Sequence, residues 1–299
     1  MSPAPRVAVA ALAAAPIACP PDLPARLGIP GGQVSLQSSP ACEGGPDWHV
    51  LRVSGEAGAD FDAAHTREVM HAFAPDVVVV PAALVSAAPG LVVTDVDSTL
   101  ITQEVIEELA DHAGTRAQVA EVTARAMNGE LDFAQSLHQR VATLRGVPAS
   151  VFQTVLDALV PTPGAQALVD AVHRGGGTFG VVSGGFEEVV APLCQRMGID
   201  HWVANHLEVR AGHLTGRVQG DVVTSDTKVA HLQKWAGEQG VPLEQTVAMG
   251  DGANDVPMMG AAGLGVAFCA KPAVRAAVPD TISLQRLDAL VGILALPLP

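Results

Sequence analysis

The stretch LVVTDVDSTL, residues 91–100, decides how the fold of this chain is predicted. Its uninterrupted apolar first half is typical of a strand buried on both faces of a parallel sheet. The strand runs directly into Asp95 and Asp97, and parallel α/β sheets bind their ligands beyond the carboxyl ends of the strands. Similar apolar runs end in polar turns at 178–182, 245–249 and 263–267. We therefore predict an α/β fold with a doubly wound parallel sheet.

The segment between the first two predicted strands is long and helical in pattern. Apolar residues recur at helical spacing from residue 104 to about 160. An insertion of this length after the first strand would lie over the strand ends as a lid, here named the cap. Beyond the second strand, alternating runs at 207–209 and 214–218 predict a β-hairpin.

Residues 1–85 have a different pattern and predict a small α+β domain. One helix is expected at 60–73, and residues 81–90, rich in Ala, Pro and Ser, are interpreted as a linker. Four short strands are expected at 6–14, 33–37, 48–53 and 76–80. The predicted division is therefore an N-terminal domain, 1–85, and a larger domain, 86–299, that carries the cap.

Composition excludes several classes of partner. The 299 residues include only 17 Lys and Arg, and the formal net charge is −14, which argues against a nucleic-acid partner. No apolar run reaches the roughly 20 residues that span a bilayer, so no membrane partner is predicted. The apolar run 7–15 is short and is interpreted as a buried strand rather than a signal peptide. Four scattered cysteines, Cys19, Cys42, Cys194 and Cys269, suit reduced, mostly buried thiols in a cytoplasmic protein.

Polar residues follow each predicted strand of the parallel sheet. Ser183-Gly184-Gly185 follows the second strand, Gly250-Asp251-Gly252-Ala253-Asn254-Asp255 follows the third, and Lys228 begins a helix between them. If the strand ends converge, four carboxylates crowd one pocket: Asp95, Asp97, Asp251 and Asp255. Their repulsion either raises a pKa or requires a cation. Oxygen ligands alone favour Mg²⁺ over zinc.

These residue types also suit phosphoryl transfer. The carboxylate of Asp95 can attack phosphorus and form an acyl phosphate, and Asp97 can move the proton of the leaving alkoxide and of water. Ser183, the N–H groups near Gly184 and Lys228 can stabilise charge on the phosphoryl oxygens. Each signal alone is weak, because an Asp-x-Asp sequence is usually a solvated turn and GDGxxD is often an ordinary acidic turn. The argument lies in their order along the chain.

In that order, the motifs resemble a known family. DVDSTLI at 95–101, VVSGGF at 181–186, Lys228 and GDGANDVPMM at 250–259 resemble the four motifs of the haloacid dehalogenase superfamily, which has a Rossmann-like core. Further stretches narrow the resemblance to phosphoserine phosphatases: 127–146, 204–209, 213–218 and 262–275.

The resemblance implies a role for each candidate residue. Asp95 would be the nucleophile and Asp97 the acid and base. Phosphate would contact Ser183, Gly184 and Lys228. Mg²⁺ would be held by Asp95, the Asp97 carbonyl and Asp251, with Asn254 and Asp255 completing or orienting the site. Glu104 would meet the substrate amine and Arg140 its carboxylate, and the pocket would be lined by Met127, Phe133 and Gly185.

Without the resemblance, two of these residues have ordinary explanations. Glu104 would be an acid that favours a helix N-terminus, and Arg140 a solvated residue of the cap. Two positions depart from the family pattern: Glu187 where threonine is common, and Cys269 where histidine is frequent. A negative Glu187 near the pocket would disfavour a bulky acidic substrate.

The function implied is hydrolysis of O-phospho-L-serine to L-serine and phosphate, the last step of serine biosynthesis. A phosphatase or phosphotransferase acting on another small phosphorylated amino acid or metabolite is the alternative. The N-terminal domain resembles an ACT-like regulatory domain that would bind an amino acid. A packing or dimerisation role without a ligand is the other interpretation, and it predicts a homodimer through residues 1–85.

Overall fold

The computed structural model describes residues 4–39, 45–127 and 130–297, so Cys42 lies outside the described residues. The N-terminal part forms one antiparallel sheet in the order β2-β3-β1-β4. Its strands are β1 (Arg6–Ala13), β2 (Gln33–Ser38), β3 (His49–Glu56) and β4 (Asp76–Val80). Its helices are α1 (Leu23–Arg26), α2 (Ala63–His71) and α3 (Ala82–Ser86). The predicted small α+β fold is therefore confirmed.

Two local expectations differ from the structure in this part. The helix α2 begins after Asp62, whose carboxylate accepts hydrogen bonds from the N–H groups of Ala64 and His65, so it is shorter than the pattern predicted. The segment 81–90 is not purely a linker, because it contains α3. Leu84 of that helix is buried in the core, which stabilises a turn that its composition did not predict.

The larger sheet has seven strands in the order β11-β10-β9-β5-β6-β7-β8. Six are parallel, and β8 pairs antiparallel with β7 as the predicted hairpin. The strands are β5 (Leu91–Thr94), β6 (Thr178–Phe186), β7 (His201–Arg210), β8 (His213–Gln219), β9 (Thr246–Gly250), β10 (Leu264–Phe268) and β11 (Thr281–Ile282). The predicted doubly wound α/β architecture is confirmed.

Four of the five described α-helices between β5 and β6 lie in the predicted cap, as its apolar spacing indicated. They are α4 (Val105–Ala113), α5 (Arg116–Met127), α6 (Phe133–Ala142) and α7 (Val151–Ala158). The β7–β8 hairpin joins them: the Gly146 N–H donates to the Leu214 carbonyl and the Leu214 N–H to the Val147 carbonyl, each at 2.8 Å. Hydrogen bonds just after α6 therefore connect the cap to strand β8 of the large sheet.

The remaining helices cover the two faces of the large sheet. They are α8 (Ala165–Arg174), α9 (Glu187–Met197), α10 (Ser225–Glu238), α11 (Val256–Ala261), α12 (Pro272–Ala277) and α13 (Ala289–Leu294). All four residues of β5 are buried: Leu91 packs in one apolar layer with Trp235 of α10, and Val92 in the other with Leu168 of α8. This burial on both faces explains the continuous apolar run of β5.

The two sheets meet where β4 approaches β11. The buried carboxylate of Asp76 accepts hydrogen bonds from the hydroxyls of Thr281, at 3.0 Å, and Ser283, at 2.7 Å. Asp280 pairs with Arg67 of α2 at 2.8 Å and accepts from the Val79 N–H at 2.8 Å. Buried polar contacts therefore connect the N-terminal sheet to the larger domain.

Among the described residues, the helices are all too short or too polar to cross a bilayer.

Candidate active site

The turn after β5 places two carboxylates beyond the centre of the sheet. Asp95 is buried, its N–H donates to the Met249 carbonyl of β9 at 3.1 Å, and its Oδ1 accepts from the Val96 N–H at 2.8 Å. Residues 96–100 then turn sharply, with Ser98 in the left-handed region at φ 56°. The Oδ1 atom of Asp97 accepts from the Val105 N–H at 3.2 Å, which connects this turn to the first cap helix.

Burial and neighbouring charge change the acidity of Asp97. Its burial is the largest cause, and the negative charges of Glu104 and Asp95 act in the same direction, so the pKa of Asp97 lies well above its usual range. The protonated form is the one that can donate a proton to a leaving group. Asp97 is therefore suited to act as a general acid.

The side chain of Lys228 is almost completely buried beneath the site. Helix α10 begins at the Thr224 cap and brings Nζ of Lys228 within 2.6 Å of Asp255 Oδ1 and 2.9 Å of Asp95 Oδ1. Burial opposes the charge, but the two carboxylates outweigh it and raise the pKa of Lys228 above its ordinary value. Lys228 is therefore a fixed cation beside the nucleophile predicted from sequence.

The end of β6 supplies donors and space for an anion. The Gly185 N–H donates to Oγ of the buried Ser183 at 2.8 Å, which leaves the hydroxyl proton of Ser183 available to another acceptor. A Cβ atom at Gly185 would lie 3.0 Å from Ser183 Oγ and 3.2 Å from an Asp97 carboxylate oxygen. A larger residue at position 185 would therefore press on Ser183 and Asp97.

Three carboxylates meet where β5 and β9 end. Oxygen atoms of Asp95, Asp251 and Asp255 all lie within 4.8 Å of one another. Burial first, and then repulsion from Asp95, raises the pKa of Asp251 to about 6 and that of Asp255 to about 7, although Lys228 opposes the shift of Asp255. This set offers only oxygen ligands, and the single charge of Lys228 does not balance three carboxylates, so the set fits a hard divalent cation such as Mg²⁺.

The members of the predicted metal set differ in position. Asp255 is already engaged, because its Oδ1 contacts Lys228 and its Oδ2 accepts from the Gly252 N–H at 3.0 Å. It is therefore better placed to orient the site than to donate freely to a cation. The carboxylate of Asp97 is not part of the three-carboxylate group, and the resemblance had implied its carbonyl instead.

A cavity of about 170 Å³ lies between the strand ends and the cap. The predicted core residues that line it are Asp95, Asp97, Gly184, Gly185, Asp251 and Asn254. From the cap, Glu104, Phe133 and Arg140 also line it. Met127 ends α5, and its side chain lies outside the described residues. The structure thus brings together every predicted residue that can be placed, with Ser183, Lys228 and Asp255 buried just beneath the cavity floor.

Glu104 is held toward the cavity by a neighbouring serine. It is the N-cap residue of α4, yet its side chain makes no capping hydrogen bond; the Ser98 hydroxyl donates to Glu104 Oε1 at 2.7 Å instead. Burial raises the pKa of Glu104, and the Ser98 hydrogen bond opposes that shift. The explanation of Glu104 as an acid that only favours a helix terminus does not fit this geometry.

Arg140 is turned into the site rather than solvated. Its side chain lines the cavity, and Nε donates to the Ser136 carbonyl one turn earlier at 3.4 Å. Burial lowers the pKa of Arg140, although Glu104 and Asp97 oppose the shift, and a guanidinium remains charged in proteins in any case. Among the described residues, no carboxylate lies within ion-pair distance of Arg140, so its donors are available to an anionic ligand.

The expectation that Glu187 lies near the pocket is wrong. Its Oε1 accepts a hydrogen bond from Trp202 Nε1 of β7 at 2.9 Å, and Glu187 does not line the cavity. This contact draws the carboxylate to β7, so Glu187 is not part of the cavity wall. In the described part of the chain Cys19, Cys194 and Cys269 are free thiols, as predicted, but only Cys194 is buried. Cys269 is exposed at φ 44° beyond β10, so the expectation of mostly buried thiols is wrong.

Sequence reasoning missed two residues of this site. Lys271 lines the cavity, and it lies in the stretch 262–275 that carried the resemblance, so its charge was the available signal. Asn205 is buried on β7 and donates from Nδ2 to the Gly184 carbonyl at 2.8 Å. Asn205 lies in the stretch 204–209 that carried the resemblance, which was the available signal, but only the pairing of β7 with β6 brings it to Gly184.

Comparison with known proteins agrees with this geometry. A family model for haloacid dehalogenase-like hydrolase matches residues 92–260. A phosphoserine phosphatase of Streptococcus thermophilus is 53% identical over 209 residues, which cover 70% of this chain and 97% of that protein. A solved structure of a phospho-aspartyl intermediate analogue of phosphoserine phosphatase is 38% identical with a TM-score of 0.65, and the match covers 69% of this chain and 98% of that one.

A second solved structure extends the likeness to the N-terminal sheet. The unliganded form of a probable phosphoserine phosphatase from Vibrio cholerae is 32% identical with a TM-score of 0.72, and the match covers 98% of this chain and 86% of that one. The family model and the sequence identity together show that this chain belongs to the haloacid dehalogenase-like hydrolases.

Proposed function

We propose that this protein hydrolyses O-phospho-L-serine to L-serine and phosphate. The observation that carries the proposal is that Asp95, Glu104 and Arg140 line one cavity. Phosphoserine has a phosphate, an ammonium and a carboxylate. Glu104 is opposite in charge to the ammonium, and the Arg140 guanidinium can bind the carboxylate with two parallel hydrogen bonds. A phosphomonoester without the amino-acid group would leave both charges unpaired.

The first step transfers the phosphoryl group to Asp95. Its Oδ1 already contacts the Val96 N–H and Lys228, so Oδ2 is the oxygen that attacks phosphorus. Protonated Asp97 donates its proton to the serine oxygen as the P–O bond breaks. The Ser183 hydroxyl and the Lys228 ammonium stabilise charge on the transferring oxygens because they are fixed before the reaction begins.

The second step hydrolyses the aspartyl phosphate. Asp97 has lost its proton in the first step and is now a carboxylate, so it accepts a proton from the attacking water. Phosphate is then released and Asp97 is again protonated. The raised pKa of Asp97 supports this alternation between acid and base at neutral pH.

We assign the divalent cation as Mg²⁺. Asp95, the Asp97 carbonyl and Asp251 would hold it, and Asn254 and Asp255 would orient them, which the hydrogen bonds of Asp255 support. When bound, the ion neutralises charge on the phosphoryl oxygens and on the crowded carboxylates.

Phosphate release by the purified protein tests the proposal directly. L-phosphoserine, phosphothreonine and several sugar phosphates are each assayed with Mg²⁺ and with a chelator. We expect metal-dependent hydrolysis with a preference for phosphoserine, and no turnover by Asp95→Asn. Metal-dependent turnover of a different substrate would retain the mechanism and support the alternative metabolite, whereas turnover by Asp95→Asn would contradict the assignment of the nucleophile.

We further propose that residues 1–85 form a separate domain that pairs two copies of the chain, with 86–299 as the catalytic domain and 104–160 as its cap. The exposed apolar side chains of Val34 and Leu36 on the outer strand β2 support association there. Size-exclusion chromatography of the protein and of Leu36→Lys tests this, because only a dimer formed through β2 would dissociate in the variant. Calorimetry with serine tests the alternative, that residues 1–85 bind an amino-acid effector.

Cytoplasmic location of the protein stays a prediction.

A further inference from the structure

Asn205 uses both ends of its side-chain amide in the interior of the protein. The residue is 1% exposed. Its Nδ2 donates to the Gly184 carbonyl at 2.8 Å, and its Oδ1 accepts from the Val223 N–H at 2.8 Å. These partners belong to two segments that are far apart in the sequence, the end of β6 and the loop before α10.

The first contact controls the turn that would hold the phosphate. Regular pairing between β6 and β7 is interrupted between Val182 and Phe186, so residues 183–185 lack the ladder of a continuous strand. Asn205 lies opposite Phe186 and supplies a side-chain hydrogen bond in its place. The Gly184 carbonyl shares its peptide plane with the Gly185 N–H, which donates to Ser183 Oγ. Asn205 therefore fixes the orientation of a glycine peptide that would otherwise rotate readily.

The second contact controls the position of Lys228. Val223 immediately precedes Thr224, the residue that caps α10, and Lys228 lies in the first turns of that helix. Through α10, the loop held by Asn205 determines how Nζ reaches Asp95 and Asp255. One buried amide thus spans the two segments that present donors to the phosphoryl group.

We infer that Asn205 is a positioning residue for phosphoryl transfer, which holds the turn 183–185 and helix α10 at a fixed separation. The role requires a donor on one side and an acceptor on the other, and an amide supplies both. The inference rests on the proposed phosphatase function, but it concerns the phosphate end of the site. It therefore applies to any phosphomonoester that the enzyme accepts.

The variant Asn205→Asp tests this role with almost no change in shape. It keeps the acceptor for the Val223 N–H and places an oxygen against the Gly184 carbonyl. We expect kcat/KM to fall about tenfold to a hundredfold for both phosphoserine and p-nitrophenyl phosphate, because small displacements of positioning groups have effects of this size. Inhibition by orthovanadate, which occupies the phosphate site, should weaken by a similar factor. Glu104→Gln, by contrast, should lower kcat/KM for phosphoserine much more than for p-nitrophenyl phosphate, which has no ammonium.

Thr246→Val is the matched control. The Thr246 hydroxyl is also buried, donates to the Leu243 carbonyl at 2.7 Å and accepts from the Gly263 N–H at 3.2 Å. It lies at the amino end of β9, away from the site. We expect a comparable fall in melting temperature with kcat/KM within twofold of the wild type. If Asn205→Asp does not fold, Asn205→Ala measures the same loss without a buried charge.

Three outcomes would overturn the inference. They are an unchanged kcat/KM in the folded Asn205 variants, an unchanged vanadate inhibition, and an equal loss of activity in Thr246→Val. A wild-type enzyme that hydrolyses p-nitrophenyl phosphate but not phosphoserine would contradict the proposed substrate alone. In that case kcat/KM of the Asn205 variants would still be compared with that of the wild type on p-nitrophenyl phosphate. A wild type inactive on every phosphomonoester would overturn both.

Discussion

Lys228 and Asp255 form a buried ion pair, with 2.6 Å between Nζ and Oδ1 and side chains that are 1% and 0% exposed. The same ammonium lies 2.9 Å from Asp95. A charge buried in this way is stable only with partners, and here each partner is also a predicted site residue. Lys228 thus both neutralises the carboxylates and offers a donor to an incoming phosphate.

Replacing Lys228 by Met should abolish most activity. Loss of a preorganised charge beside the transferring group is expected to lower kcat/KM about a hundredfold to a thousandfold. Steady-state kinetics with phosphoserine measures the loss, and circular dichroism checks the fold. Lys234→Met is the control on the same helix. The Lys234 side chain is 58% exposed, and its ion pair with Glu238 is long, at 4.0 Å between Nζ and Oε1. A Lys228→Met enzyme within threefold of wild type would contradict the role.

Replacing Asp97 by Asn should separate the two chemical steps. The nitrophenolate of p-nitrophenyl phosphate leaves without a proton, but water attack on the aspartyl phosphate still needs a base. We expect a burst of about one nitrophenolate per active site, followed by a steady rate about a hundredfold to ten-thousandfold below wild type. Rapid-mixing absorbance measures both phases.

Asp95→Asn is the control for that burst, because it lacks the nucleophile and should release no nitrophenolate in either phase. Linear release by Asp97→Asn at the wild-type rate would show that Asp97 takes no part in the second step. Release without a burst at the slow rate would place the defect in the first step instead.

The position of most site residues could be predicted because a parallel sheet gathers the carboxyl ends of its strands. Asp95, Ser183 and Asp251 each follow an apolar run, so their convergence needed only the architecture. The direction of a side chain was not predictable in this way. Glu187 is drawn to Trp202, and Asn205 reaches Gly184, only because β7 pairs with β6.

Local conformation set a second limit on prediction. The φ of 56° at Ser98 and the helix α3 in an Ala- and Pro-rich segment depend on surroundings supplied by distant parts of the chain. Leu84 of α3 is buried against the core, and Ser98 bonds to Glu104. A sequence pattern of a few residues predicts neither the burial of Leu84 nor the hydrogen bond of Ser98.

Discrimination in favour of an amino substrate should depend on Glu104 and on Ser98. We expect Glu104→Gln to lower kcat/KM for phosphoserine about thirtyfold or more, since an ion pair with the ammonium is lost. Ser98→Gly removes the hydroxyl that holds Glu104 and suits the positive φ, so a smaller loss of about three- to tenfold is expected. Kinetics are compared for phosphoserine and for 3-phosphooxypropanoate, which lacks the amine.

The des-amino substrate is the internal control for both variants. Its kcat/KM should fall much less than that of phosphoserine, because it has no ammonium to pair with Glu104, and any loss that comes through the pKa of Asp97 is common to both substrates. In the double variant, Ser98→Gly should add no further loss to that of Glu104→Gln, since both act through one contact. Equal losses on both substrates would mean that these residues support the fold and not recognition of the amine.

The stability of the metal-free protein should fall as pH rises from about 4 to about 7. Asp251 has a pKa raised to about 6, so between its unfolded and folded pKa values the native state binds more protons than the unfolded state. Stability is therefore lost across that window, and the loss from Asp251 is complete above it. Asp251→Asn should remove part of this slope, leaving the variant about 1 to 2 kcal/mol more stable than wild type near pH 8 in a chelator. Because Mg²⁺ binds ionised carboxylates, its stabilisation of wild type should grow over the same pH range and be reduced in Asp251→Asn. Denaturant unfolding with and without Mg²⁺, with the exposed Asp226→Asn as control, measures these differences, and identical pH slopes in all three proteins would show that Asp251 does not carry them.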